Sequence, residues 1–424
     1  MTDEKTPLLA INGGTPAVNQ ALPPMYPGGM WLDEEEETAV LEVIRTRRLF
    51  RYYGPQPGSS KVEELEKAFA KYIGVQYGLA VTSGTAALIS CLAGLGVGPG
   101  DEVIVPAYTW IASASAVVAV GAVPIMAEVD ESLTLDPVDL EQKITPYTRA
   151  VIPVHMRGAP CRMDAILDIA RKHNLMVLED TAQADGASYQ GKHLGAWGDA
   201  GAFSLQFNKI ITSGEGGMVT TNHKHVFERA VMYHDVIGGM RNQIPEDQIL
   251  PGINFRMPEL LGAVALVQLR RLTALLEAMR ARKNMIKENI SQLVNQKGIK
   301  FRHIHDPLGE AALALVLFLP EARLASQAAK ALSAEGLPTS IMYAPDRVDY
   351  HVYSHWSPIL NQRAWSHGAG PWVNHPRKIS YHRQMCPKTL DLLSRAIHLD
   401  ISPDLSNDQV EHITEAMTKV FSSL

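Results

Sequence analysis

From about residue 61 the chain alternates short apolar runs, rich in β-branched residues, with longer stretches of helical or loop character. The runs at 78–82, 102–106, 123–127, 150–154, 175–179, 200–205 and 217–221 predict strands. SGTAALISCLAGLG, TWIASASAVVAVG and CRMDAILDIARKHN lie between them as helices or loops. This alternation implies crossover connections, and so an α/β fold with a mainly parallel sheet of seven strands between helices. Sheets of this kind bind ligands beyond the carboxyl ends of their strands.

The pattern changes at both ends. The first 30 residues carry INGGTPAV and LPPMYPGG, which predicts an extended arm rather than a compact start. An acidic helix follows in DEEEETAVLEVIRTRR, its acids suited to the first turn, its arginines to the last, and its charges read as a solvated face. A long helix is predicted from Pro258 through LLGAVALVQLRRLTALLEAMRARKNMIKENISQLV, bridging to a second unit. That unit carries a strand near 312–318, a helix at ARLASQAAKALSAEG and a closing helix with Ser406 as its N-cap. Three parts are therefore expected: an arm at 1–30, a large domain at 31–270 and a smaller α+β domain at 271–424.

Composition narrows the function. Apolar residues make up 46% and charged residues 20%, an ordinary globular balance. Thirty-nine Lys and Arg against 45 Asp and Glu give a net charge of −6, which argues against a dedicated nucleic-acid or membrane-surface binder. The run at 111–127 is broken by Ser113, Ser115, Gly121 and Pro124, so it predicts a helix, a turn and a strand rather than a membrane span. The start MTDEKTPLL is unlike a secretory leader, and Cys91, Cys161 and Cys386 suit neither a disulfide framework nor a zinc site. A reducing cytoplasm is the expected compartment.

Three strand ends carry the chemistry. After the first, Ser83-Gly84-Thr85 opens a helix whose N–H groups and dipole suit a phosphate, although Ser83 could be only a cap. After the fifth comes Asp180, either a surface turn residue or the holder of a positively charged ligand atom. After the sixth, Lys209 precedes a Ser-Gly-Glu-Gly-Gly turn. It is either a snorkelling lysine or a desolvated amine able to act as a nucleophile. Together they are the parts that pyridoxal phosphate needs: a Schiff-base lysine, a phosphate cradle and, 29 residues before the lysine, a carboxylate that keeps the pyridine nitrogen protonated.

With these residues in view, the sequence resembles the DegT family of sugar aminotransferases, within the fold-type I pyridoxal-phosphate enzymes. The resemblance runs from about Tyr53 onward and rests on SGTAAL, GVGPGDEVIVPAYTW, GAVPIMAEVD, IPVHMRG, EDTAQADGASYQGKHLGAWGDAGAFSLQFNK, GEGG and NFRMPELLGAVALVQL. It implies Lys209 as the Schiff-base lysine and Asp180 as partner of the pyridine nitrogen. It also implies Trp110 stacked on the ring, Gln183 near the ring hydroxyl, and Gly84, Thr85 and Ser204 on the phosphate. Asn254 matches an asparagine that reaches the neighbouring subunit's cofactor, which implies a homodimer with shared active sites. Arg157 departs from the family's commonest residue at its position, and the loop at 346–377, with Trp356, Trp365 and Trp372, matches little.

The resemblance implies transfer of an amino group from glutamate or glutamine to a keto-sugar or keto-cyclitol, in amino-sugar, antibiotic or cell-surface glycan biosynthesis. Relatives with histidine in place of the lysine dehydrate sugars, and Lys209 argues against that reaction. Another reaction of the same cofactor, or a non-catalytic regulator on this scaffold, stays open at this level, since fold alone does not fix function.

Overall fold

The computed structural model describes residues 8–55, 58–365 and 370–424. Its largest sheet is built from β1 (Tyr77–Val81), β2 (Glu102–Pro106), β3 (Val123–Ala127), β4 (Thr148–Val151) and β5 (Met176–Asp180). After a small hairpin of β6 (Ser188–Tyr189) and β7 (Lys192–His193), β8 (Ala200–Ser204) and β9 (Gly217–Thr221) complete it. The strand order is β1-β9-β8-β5-β4-β2-β3. Only β9 runs against its neighbours, so β1, β2, β5 and β8 all end at one edge. That edge carries Ser83, Trp110, Asp180 and the loop that holds Lys209.

The expected strand at 150–154 is instead Thr148–Val151. Pro153 has no N–H to give to a ladder. Its carbonyl instead accepts the Asp180 N–H at 2.9 Å, and Val154 makes a single bridge to Asp180. Both faces of the sheet are buried, which is why its strands read as apolar runs rather than alternations.

A four-stranded antiparallel sheet forms the second layer system, from β10 (Lys300–Phe301), β11 (Ala314–Phe318), β12 (Ser340–Ile341) and β13 (Ala396–Asp400) in the order β10-β11-β13-β12. The expected start at 312 moves to 314 because Ala312 has φ +59°, a left-handed conformation that cannot sit in a strand. The helix Glu259–Gln296, 38 residues long, packs on parts of both halves, and the boundary expected at 270 falls inside it. The closing helix Asn407–Ser423 starts with a capping box between Ser406 and Gln409.

The acidic helix spans Glu34–Thr46 and ends where Arg47 turns left-handed at φ 57°. Its charge run is not a wholly solvated face. Glu36 is buried, and its carboxylate accepts from Gln268 Nε2 at 2.8 Å and Arg271 Nε at 3.0 Å, tying this helix to the long one. Among the described residues, no helix is long and apolar enough to cross a membrane.

The N-terminal arm is docked rather than free. The buried Glu335 carboxylate accepts the N–H groups of Ala10 (2.7 Å) and Ala17 (3.0 Å) and the ammonium of Lys419 (2.9 Å). Burial pushes its pKa up, but these donors outweigh burial and hold it below its ordinary value of 4.5. A depressed carboxyl contributes stability that is present above its unfolded pKa and lost as pH falls through its folded one. We expect Glu335→Ala, which strands Lys419, to lower stability by about 3–5 kcal/mol in urea melts. In the wild type, proteolytic protection of the arm should fade as pH drops below 4.5. Unchanged melts and arm protection in Glu335→Ala would show that something else pins the arm.

Candidate active site

A cavity of about 1060 Å³ opens at the strand edge, between the two sheets. Ser83, Gly84, Thr85, Trp110, Asp180, Gln183, Ser204 and Lys209 all line it. Asn254 does not. It is exposed, with its side chain accepting the Arg256 N–H at 3.2 Å, and its segment pairs with the end of β1 through Thr82 N–H to Phe255 O at 3.0 Å.

The phosphate end follows from helix geometry. Ser83 caps the helix Gly84–Gly94 by accepting the Ala86 N–H at 3.0 Å. The N–H groups of Gly84 and Thr85 therefore have no intrahelical acceptor, and the positive end of the helix dipole faces the cavity. A Cβ on Gly84 would come within 2.7 Å of the Ser204 Cβ, so only glycine lets the helix start approach the β8 hydroxyl. Capping by Ser83 leaves the two preceding donors free, so the cap is compatible with a cradle.

Lys209 sits on the excursion between β8 and β9. That loop is closed by Phe207 N–H to Gly214 O (3.0 Å) and Leu205 N–H to Gly216 O (2.9 Å). Gly214 and Gly216 carry φ +84° and +155°, which explains the glycines of the turn. Burial lowers the Lys209 pKa, opposed by the carboxyls of Asp185 and Asp180. Lys209 is half-buried at the cavity wall, where burial disfavours its charged form.

Asp180 is not a surface turn residue either; it is 5% exposed. Its carboxylate accepts from Ser113 Oγ at 2.8 Å and Ala182 N–H at 3.1 Å. Burial pushes its pKa up, opposed first by the Ser113 hydrogen bond. A buried carboxylate with two neutral donors still favours a nearby cation, such as a protonated ring nitrogen. Beneath it His155 Nδ1 accepts the Cys161 N–H at 3.0 Å, so its Nε2 carries the proton toward Glu179, 3.2 Å away. Glu179 also takes the N–H groups of Gly195, Trp197 and Gly198. This buried pair fixes the backbone that presents Asp180, through His155 N–H to Asp180 O at 3.1 Å.

Trp110 is 47% exposed and forms one wall, with its ring centroid 4.9 Å from that of His351. His351 belongs to the loop at 346–377, which crosses the end of β2 through Thr109 N–H to His351 O at 2.9 Å. Of its tryptophans, Trp356 is fully buried, Trp372 is buried and Trp365 is exposed. Residues 366–369 of that loop lie outside the described ones. The Gln183 side chain accepts the Arg157 N–H at 3.0 Å.

Three features of this site escape sequence reasoning. Ser113 reads only as an interruption of an apolar run, and its signal is a hydroxyl on a helix that is otherwise all Ala and Val, apart from Ser115. Asp185 is fully buried with both carboxylate oxygens unpaired among the described residues, and burial raises its pKa. Arm residues 20–26 also line the cavity, a contact that no local pattern contains.

A desolvated lysine, a buried strand-end carboxylate and a glycine-tight helix start define a pyridoxal-phosphate site on a doubly covered sheet, and the residues present fit that cofactor. Residues 31–363 match the DegT/DnrJ/EryC1/StrS aminotransferase family, and the chain belongs to it. The chain is 43% identical over 238 residues to GDP-perosamine synthase of Caulobacter vibrioides, covering 55% of this chain and 63% of that protein. It is 32% identical over 403 residues to the spore coat polysaccharide biosynthesis protein SpsC of Bacillus subtilis, covering 92% and 95% of the two chains. Among solved structures, the aminotransferase from Psychrobacter cryohalolentis superposes with a TM-score of 0.77 at 26% identity, over 92% of this chain and 98% of that one. As a member of this aminotransferase family the chain is a pyridoxal-phosphate-dependent aminotransferase, and pyridoxal 5′-phosphate is its cofactor.

The contact between Gly84 and Ser204 yields a direct test. Gly84→Ala should keep the circular dichroism of the wild type but weaken pyridoxal phosphate binding to the apoprotein about tenfold or more, roughly 1.4 kcal/mol. Wild-type affinity in that variant would mean that the cradle lies elsewhere.

Proposed function

We propose that the protein transfers the amino group of L-glutamate or L-glutamine to the ketone carbon of a keto-sugar or keto-cyclitol, working as a homodimer in the cytoplasm. The observation that carries this reading is the meeting of Lys209, Asp180 and the Gly84–Ser204 cradle in one cavity. Pyridoxal phosphate bound there supplies a carbonyl that condenses with amines and a ring that withdraws electrons. Lys209 holds the cofactor at rest. As a free amine it would move the proton of the donor α-carbon, a role of the kind that contributes about 10²–10⁴-fold.

Asp180 holds the proton on the ring nitrogen, with Ser113 and Ala182 keeping the carboxylate in position. The N–H groups of Gly84 and Thr85 and the Ser204 hydroxyl bind the phosphate. Gln183 would hold the ring hydroxyl, and Trp110 would pack on the ring. The volume of about 1060 Å³ stands at the upper end of ordinary ligand sites, roughly 300–1,000 Å³, and leaves room for a sugar with a further group attached. The likeness to an enzyme named for making GDP-perosamine favours a nucleotide-linked sugar as that acceptor.

Two observations support the shared site. Asn254 stands outside its own cavity yet beside the strand that leads into the cradle. Val236, Ile237, Met240 and Ile253, on and around the same surface segment, are exposed apolar side chains of the kind that a second subunit covers.

The test is transfer of nitrogen-15 from labelled glutamate or glutamine to a panel of keto-sugars, read by mass spectrometry of the product. The wild type should label one of them and Lys209→Ala none. Lys209→Ala co-expressed with Asn254→Ala should be more active than either alone, because a mixed dimer assembles one intact site. Labelling by Lys209→Ala at the wild-type rate would overturn the chemistry. No gain on co-expression, with Asn254→Ala itself impaired, would overturn the shared site.

A further inference from the structure

Arg157 occupies a position that the scheme above leaves without a task. It sits in the short turn Met156–Gly158 after β4, with φ 53° and ψ 37°. Left-handed backbone is strained for a non-glycine residue. Strain of this kind clusters at functional sites. The turn is fixed by the Gln183 side chain, which accepts the Arg157 N–H at 3.0 Å. The arginine side chain lines the cavity with Gln183, Asp180 and Lys209. Its Nε is buried with no hydrogen-bond partner among the described residues. Its ion-pair partner is Asp400, at 3.7 Å from Nη1, beyond hydrogen-bond reach, and the Asp400 side chain is 43% exposed.

Among the described residues, the cavity has three basic side chains in its lining: Lys209, His351 and Arg157. Lys209 is committed to the cofactor. His351 Nδ1 is held 2.8 Å from an Asp349 carboxylate oxygen. Among the described residues Arg157 is the remaining cation of the lining, and its planar fork matches a carboxylate in two parallel hydrogen bonds. A donor amino acid carries its α-carboxylate one bond from the carbon whose proton Lys209 moves. The carboxylate anchor must therefore lie near Lys209, and Arg157 lines the same cavity with its charge close enough to act on the Lys209 amine.

The geometry points to Arg157 as the specificity-determining residue that takes the carboxylate of the amino-acid donor, an inference that rests on the aminotransferase reading above. Tyr108, Asp400 and Asp349 support the guanidinium charge before the donor arrives, and Gln183 holds the turn that presents it. The site is thus built for an anionic donor, while the sugar acceptor uses the rest of the cavity.

Two cofactor-loaded variants, Arg157→Met and Arg157→Lys, test this in two ways. Glutarate, a dicarboxylate with no amino group, reports binding through the absorbance band of the cofactor without any turnover. Glutamate reports the first half of the reaction. In Arg157→Met the half-saturating concentrations of both should rise about 30-fold, the scale of a lost charged hydrogen-bond pair. Arg157→Lys should recover part of the loss, and half-saturation by the keto-sugar in the second half should stay within about threefold. Wild-type glutarate and glutamate binding in Arg157→Met, or a loss confined to the keto-sugar, would overturn the assignment. A wild-type protein that binds glutarate through Arg157 but transfers no nitrogen would instead overturn the aminotransferase reading and leave the anion site standing.

Discussion

Everything in this protein turns on keeping a carboxylate and an amine out of water at one end of a sheet. Isolated charges in such a place are costly, and the fold offsets the cost with specific partners. Asp180 has Ser113 and Ala182, while Lys209 feels the charge of the Asp185 and Asp180 carboxyls without pairing directly with either. Beneath them the His155–Glu179 pair and three backbone N–H groups fix the floor. The remaining demand for a cation at Asp180 and an anion at the Gly84 helix start is what a protonated pyridine ring with a phosphate satisfies.

The sheet was largely legible in the sequence because its strands are buried on both faces. Such strands are apolar runs bounded by turn residues, and β2, β3 and β9 fall at the expected residues. Departures arise where a backbone rule outweighs apolar character, at Pro153 and at Ala312. The second sheet was less legible. β10 and β12 have two residues each, too few to show any period, and they exist through pairing with β11 and β13.

The site divides in the same way. Residues placed by local chain geometry, such as Asp180 at the end of β5 or Gly84 at a helix start, stand out in the sequence. Residues that matter through partners far along the chain do not. Glu36 looks like one acid in a charged run, yet it meets Gln268 and Arg271 across more than two hundred residues. Glu335 gathers the arm and Lys419 from opposite ends of the chain. Asp185 shows no local signal of its burial, because the groups that enclose it are assembled only by the tertiary fold.

The central claim is that Lys209 is the residue that carries pyridoxal phosphate. Reduction of the cofactor-loaded protein with borohydride fixes the cofactor onto whichever amine holds it, and peptide mapping by mass spectrometry then locates it. The account predicts a single pyridoxyl-modified peptide containing Lys209, absent when the donor amino acid is supplied before reduction. Modification at another lysine, or none in a protein that binds the cofactor, would contradict it.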